Sequence, residues 1–206
     1  MRRLFALVCC LALLAINFLA APGVFANTTD STTYGSGNYS NCDYGSCTIT
    51  LASSGAVSLN VTPSPSTACT VQYDPVTVTT DSTTGYTLNV TTSTTATAMT
   101  SGANSIASST ASQASPAVLT ADRWGYRADG VGGFGAGPTS AQSNGSVPSA
   151  TFAGVPASNA TAAQIASTSS PSSSGTTTKV WYGLCADSAA PSGNYSITVT
   201  YTAVTN

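Results

Sequence analysis

From Cys47 onward the chain repeats with a period of two, and that repeat dictates what it can fold into. Cys47-Thr-Ile49-Thr-Leu51 sends its apolar side chains one way and its threonines the other. The same pattern recurs at Val57, Leu59 and Val61, at Cys69, Val71 and Tyr73, at Val76 and Val78, and at Tyr86, Leu88 and Val90. It closes the chain with Tyr195, Ile197, Val199, Tyr201 and Ala203. Strict alternation is the mark of a strand with one buried and one exposed face. Valine, tyrosine and threonine suit such a pleated surface.

Turn residues separate these runs: Ser53-Ser54-Gly55, Pro63-Ser64-Pro65, Asp81 to Gly85, and Pro191-Ser192-Gly193. Short strands at this spacing predict an all-β fold, an antiparallel β-sandwich of the Greek-key type with long Ser/Thr/Gly-rich loops. No segment carries a helical stripe; Asn159 to Ser167 is the nearest, at one turn or two. Thr92 to Pro116 reads as a long surface loop or as edge strands that bury little. Thr168 to Thr178, all Ser, Thr, Pro and Gly, reads as a flexible linker.

Before the repeat the chain has a different character. Arg2 and Arg3 precede an apolar stretch from Leu4 to Ala21, and Val24-Phe25-Ala26 offers the small residues of a cleavage site. This is the pattern of a secretory signal peptide over residues 1–26. Residues 27–46 form a polar, glycine-rich extension, and 47–206 a single domain. No second apolar stretch follows, so no membrane span is expected after cleavage. The expected location is secreted, extracellular and associated with a cell surface.

Export gives the cysteines a meaning. Cys42, Cys47, Cys69 and Cys185 lie outside the signal segment, and an even set in an exported chain reads as two disulfides. Cys42 and Cys47 could close a short loop, with Cys69 and Cys185 tying an early strand to a late one; the other two connectivities stay open. Without histidine, and with these spacings, no zinc pattern fits.

Charge is scarce. Outside the signal segment only Arg123, Arg127 and Lys179 are basic, against seven acidic residues, all aspartate. No basic patch exists to neutralise phosphates, which argues against nucleic acid as a partner. Lacking histidine and glutamate, the chain also lacks the common general bases, so no enzyme, catalytic residue, metal or cofactor is expected. Paired aspartates, or calcium at Asp122 with Asp129 or Asp74 with Asp81, have no supporting motif.

One stretch stands apart: Asp122 to Gly137, DRWGYRADGVGGFGAG. Its glycines match the letters of a dinucleotide loop, but no helix start follows them, and that loop works by presenting a helix N-terminus to phosphate. Alternation instead predicts a core strand with Trp124 and Tyr126 inward and Arg123 and Arg127 in solvent, running into a glycine loop with Phe134. Arginine forks suit carboxylates and phosphates. Arg123, Trp124, Tyr126, Arg127 and Phe134 are therefore the candidate ligand-binding residues, and a wall or surface glycan the candidate ligand.

The runs VTVTTDSTTGYTLNV and PSGNYSITVTYTAV resemble secreted bacterial surface proteins with a WxL-type domain. Tyr86-Thr-Leu88 and Tyr201-Thr-Ala203 occupy the places of that family's two Trp-x-Leu motifs, with tyrosine for tryptophan. The C-terminal run is also similar to endings found in pilus-subunit sandwiches. The resemblance implies a β-sandwich on a bacterial envelope, held non-covalently to wall polymer. Together these features predict a non-catalytic envelope protein that associates with cell-wall polymer or a surface layer. The alternatives are a glycan-binding adhesin, or a pilus- or fibre-like subunit that binds copies of itself and donates a strand from residues 27–46.

Overall fold

The computed structural model describes residues 27–28, 47–62 and 66–206. Among them there is no helix. The strands are β1 (Asn27–Thr28), β2 (Ile49–Ala52), β3 (Ala68–Thr80), β4 (Tyr86–Thr92), β5 (Met99–Ser101), β6 (Asn104–Ser108), β7 (Ala117–Val118), β8 (Arg123–Ala128), β9 (Gln142–Gly145), β10 (Thr151–Phe152), β11 (Ala163–Ser167), β12 (Ser172–Ala186) and β13 (Val199–Thr205).

A four-stranded sheet runs β1-β13-β4-β11, and a seven-stranded sheet runs β2-β3-β12-β8-β6-β5, with β9 on the free side of β3. A ribbon of β7 and β10 stands apart from both. The sheets are mixed rather than wholly antiparallel, because β1 joins β13 and β6 joins β8 in parallel. A parallel neighbour needs a long connection to bring the chain back to the same end. Residues 109–122, including β7, supply it between β6 and β8.

The alternation places the core. Tyr86, Leu88 and Val90 of β4 and Val199, Tyr201 and Ala203 of β13 face Val76 and Val78 of β3, Trp124, Tyr126 and Ala128 of β8, and Val180, Tyr182 and Leu184 of β12. A second cluster lies on the other side of the large sheet: Cys69, Val71, Leu119, Phe152, Trp181 and Cys185. The large sheet is thus covered on both faces along β3, β8 and β12. Cys69 and Cys185 are partners in the β3–β12 register and are joined by a disulfide. Cys47 is also disulfide-bonded; Cys42, its expected mate, lies outside the described residues.

Four segments differ from the sequence reading. Cys69–Tyr73 and Val76–Val78 are one strand, β3, in spite of Pro75. Its free edge is paired by β9 at Cys69 and Val71 and by β2 from Thr77 to Thr80. Pro75 falls between them, where its missing N–H breaks no ladder. The expected linker is largely the first half of β12: Thr176–Thr178 pair with Val76–Val78, the Thr77 and Thr177 hydroxyls meet at 2.8 Å, and Ser172 donates to the Val78 carbonyl at 3.0 Å. Hydroxyl ladders replace apolar contacts there, so composition alone hid the strand. The weak helical candidate contains β11, paired with β4. Ala56 to Thr62 stays extended, with Val57, Leu59 and Val61 packed on the main core, but joins no ladder.

Candidate functional site

The structure brings the five expected ligand-binding residues together and turns most of them inward. Trp124, Tyr126 and Arg127 are each 1% exposed and Phe134 4%; Arg123 is half-buried. Trp124 donates its indole N–H to the Thr97 carbonyl at 2.9 Å, and the Tyr126 hydroxyl donates to Gln113 Oε1 at 3.1 Å. The phenol of Tyr126 is held above its ordinary range by burial.

Arg127 was expected in solvent and is inside. Its side chain leaves the face of β8 opposite Trp124 and Tyr126, and that face is covered by the β7–β10 ribbon. Nη1 donates to the Thr151 carbonyl at 3.1 Å, Nη2 to the Phe134 carbonyl at 3.0 Å, and Nε to Asp129 Oδ1 at 3.2 Å. Its guanidinium also lies 5.7 Å from the Phe134 ring centre. A guanidinium so engaged pins the glycine loop to the sheet and has no fork left to offer an anion. Gly130, Gly132 and Gly135 carry positive φ in that loop, and the Gly130 N–H donates to the Gly135 carbonyl at 3.0 Å. Only Arg123 reaches outward, with a 3.5 Å contact to the Ser108 carbonyl.

The aspartates considered for metal have structural partners. Asp81 accepts from the Thr48 N–H at 2.7 Å and its hydroxyl at 3.0 Å. Asp122 sits at φ 56° and is 3.4 Å from the Asp187 N–H, and Asp129 carries Arg127.

A concavity lies elsewhere, at the open side of β13. Ser196 exchanges two 3.0 Å hydrogen bonds with Thr100, and the Thr198 carbonyl accepts from the Ser93 N–H at 3.0 Å. Bonds to that side alternate along a strand, so Tyr195, Ile197 and Val199 direct their backbone groups to the opposite edge. Among the described residues, β1 covers that edge at Thr202 and Ala203 only. Beyond it is a groove of about 570 Å³, walled by Gly55–Val61 on one side and Pro191–Val199 on the other. Met99, Ile106, Trp124, Tyr182 and Leu184 floor it. Among the described residues, no hydrogen bond engages the backbone of Ala56, Val57, Ser58, Leu59, Tyr195 or Ile197. Sequence reasoning marked both walls as ordinary strands. Nothing in the alternation could reveal that, among the described residues, each lacks a neighbour on the side facing the other.

The inner end of the groove is polar. Asp74 of β3, 0% exposed, accepts from the Ser54 N–H at 2.8 Å and the Ser54 hydroxyl at 2.6 Å, both on Oδ1. Its Oδ2 is buried without a hydrogen-bond partner. Beside it the Tyr182 and Tyr201 hydroxyls meet at 2.6 Å. Tyr201 is held far above the ordinary phenol range by burial, then by Tyr182 and by Asp74. Tyr182 is raised as well, chiefly by burial, with the Tyr201 hydrogen bond opposing. The Tyr201 hydroxyl is held by the Asp74 carboxylate through both charge and a side-chain hydrogen bond, though that contact falls short of ordinary hydrogen-bond geometry at Oδ2. An orphaned buried acceptor is rare in a native fold and calls for a donor.

Comparison with protein-family models, characterised proteins and solved structures finds no match.

Proposed function

We propose that this chain is a non-catalytic, exported cell-envelope protein that assembles with copies of itself by strand addition at the open edge of β13. In this reading residues 47–206 form one domain, the two facing sheets are a Greek-key β-sandwich, and none of the described residues fills the strand position beyond β1. The observation that carries the reading is the groove: two extended walls whose backbone groups none of the described residues engages, over an apolar floor. Main-chain hydrogen bonds along such an edge supply affinity to an incoming strand, and pockets for alternate side chains supply selectivity. The occupant is the N-terminal extension, residues 27–46, of a second copy. The first two residues of that extension pair with the same edge in this chain, at Thr202 and Ala203, so the edge accepts the extension's backbone.

The wall-polymer and glycan readings have less beneath them, since of their five residues only Arg123 reaches solvent. Analytical ultracentrifugation and electron microscopy of chains 27–206 and 47–206 separate the possibilities. The longer chain forms oligomers or filaments, and the shorter stays folded and monomeric. Filaments of 47–206 would exclude strand donation. Retention of monomeric 27–206 on purified cell wall, lost in Arg123→Ala, would favour wall docking instead.

A further inference from the structure

The buried Asp74 carboxylate has one oxygen satisfied by Ser54 and one without a partner, and it opens on the inner end of the groove. The topology brings one chemical group to that place. Tyr201 of β13 touches Tyr182 of β12, so these two strands face each other across the core. The strand beside β13 is β1, and the strand beside β12 is β3, where Asp74 stands opposite Val180. β1 starts at Asn27, paired with Thr202, one residue from Tyr201, and it also contacts β2. The backbone nitrogen of Asn27 therefore enters the fold beside Tyr201 and against β2, the strand that leads into Ser54 and its bonds to Asp74, near the end of the groove that Asp74, Tyr182 and Tyr201 close.

Asn27 is also the first residue left when the segment read as a signal peptide is removed after Ala26. We infer that cleavage creates a ligand for Asp74: the new α-ammonium of Asn27 pairs with Asp74 Oδ2, and the Tyr182–Tyr201 hydroxyl pair lines the site. An α-amine carries its proton at neutral pH, with an unperturbed pKa of about 7.7–8.0. It brings three N–H donors on an unhindered backbone end. An internal amide at the same position brings one N–H and no charge. The precursor thus leaves the carboxylate short of a donor, and the processed chain completes it. Folding of the N-terminal strand onto β13 is coupled in this way to export and cleavage. The inference rests on the proposed export. It is independent of strand exchange, because a neighbour's β1 in the same register makes the same pair.

The processed chain holds two primary amines, the α-amine and the exposed Lys179. Native 27–206 is treated with an N-hydroxysuccinimide acetate at neutral pH and the products are assigned by mass spectrometry. In an open chain the α-amine, with its lower pKa, reacts first. Pairing reverses the order and slows the α-amine by about tenfold or more relative to Lys179, the factor that one pK unit of protection confers. An α-amine that reacts ahead of Lys179 in the native chain overturns the inference, and needs no variant to show it.

A second measurement compares 27–206 with the same chain carrying one extra glycine before Asn27. Displacing the ammonium lowers Tm by about 5–10 °C, as expected when a buried charge loses its mate. The difference disappears in Asp74→Asn. The pair raises the amine's folded-state pKa, so the advantage of the free terminus is complete below about pH 7.7 and fades as pH rises through the raised value. Equal Tm for the two termini at pH 7 overturns the pairing. Loss of assembly on deleting 27–46 would still stand in that case, so the two ideas fail separately.

Discussion

Gly125 and Gly183 stand opposite each other in the β8–β12 register, and the Phe152 side chain packs against both positions. Neither glycine has unusual backbone torsion; each is small because something lies close above it. A Cβ on Gly125 would come within 2.7 Å of the Ala153 carbonyl oxygen, and one on Gly183 within 2.7 Å of Leu119 Cδ1 and 2.9 Å of the Phe152 ring. Tyr126 and Ala153 exchange two 2.9 Å backbone hydrogen bonds directly beside this point. The glycine pair is what lets the β7–β10 ribbon close on the sheet, and the closed ribbon is what buries Arg127.

Alanine at either position should therefore destabilise, and by different amounts. At Gly183 the neighbours are the ends of side chains that can rotate, so Gly183→Ala costs about 1–2 kcal/mol, in the usual range for overpacking. At Gly125 the neighbour is a backbone carbonyl held by its own hydrogen bonds, so Gly125→Ala costs about 3 kcal/mol or more. Urea unfolding of the two variants checks the order. Equal or reversed costs would show that the ribbon does not sit on the glycine pair as described.

Arg127 gives a sharper contrast. Truncating it to alanine removes the side-chain donor to the Thr151 and Phe134 carbonyls in a buried place, while the Gly135 carbonyl keeps the Gly130 N–H. Arg127→Ala should cost about 3 kcal/mol, while Arg123→Ala, half-exposed and weakly bonded, should stay within about 0.5 kcal/mol. Arg127→Lys recovers little, because a point charge cannot span carbonyls on two segments. Similar small losses for both arginines would return Arg127 to the surface.

How much of this was legible in the sequence depended on which force makes each element. Where apolar residues alternate, as along Tyr86-Leu88-Val90 or Val199-Tyr201-Ala203, the pattern itself marks both strand and inward face. Ser172–Thr178 carries no apolar pattern, because hydroxyl contacts and the partner strand hold it. β7 and β10 are two residues each, too short for any period, yet they cover the second face of the large sheet. That hidden layer is why alternation correctly paired Arg123 with Arg127 on one face and then misjudged what the face meets. Nor could a single strand's pattern disclose the groove at Ala56–Thr62 and Tyr195–Val199, since a vacancy is a property of neighbours.

The Cys69–Cys185 bridge closes 116 residues of separation between strands already adjacent in the ladder. Loop-closure entropy for a span of this size gives about 5 kcal/mol of stabilisation relative to the reduced unfolded chain. Cys69→Ala with Cys185→Ala should lower the urea midpoint strongly while leaving the unfolding slope nearly unchanged or slightly larger, since an uncrosslinked chain exposes more surface. A change below about 1 kcal/mol would mean that the β3–β12 ladder restrains the ends of this loop even in the unfolded ensemble.

The buried tyrosines set the alkaline limit of the fold. Burial raises the phenols of Tyr126, Tyr182 and Tyr201 well above the usual value of 10.0, and Tyr86 shifts the same way. A raised phenol keeps its proton in the folded chain while the unfolded chain loses it, so the stability it contributes is complete below about pH 10 and falls above it. Each tyrosine held neutral should add about 1.4 kcal/mol of loss per pH unit beyond that point. Tm should stay level to about pH 9 with respect to these groups and then drop steeply, with several of the nine tyrosines ionising only as the chain unfolds. Absorbance at alkaline pH, followed beside circular dichroism, reads both events together. Tyr201→Phe tests the assignment: it costs about 1–2 kcal/mol at pH 7 by stripping Tyr182 of its partner, and it flattens the alkaline drop by about one group's worth. Full ionisation near pH 10 in a chain that remains folded would mean that the Tyr182–Tyr201 contact is open to water.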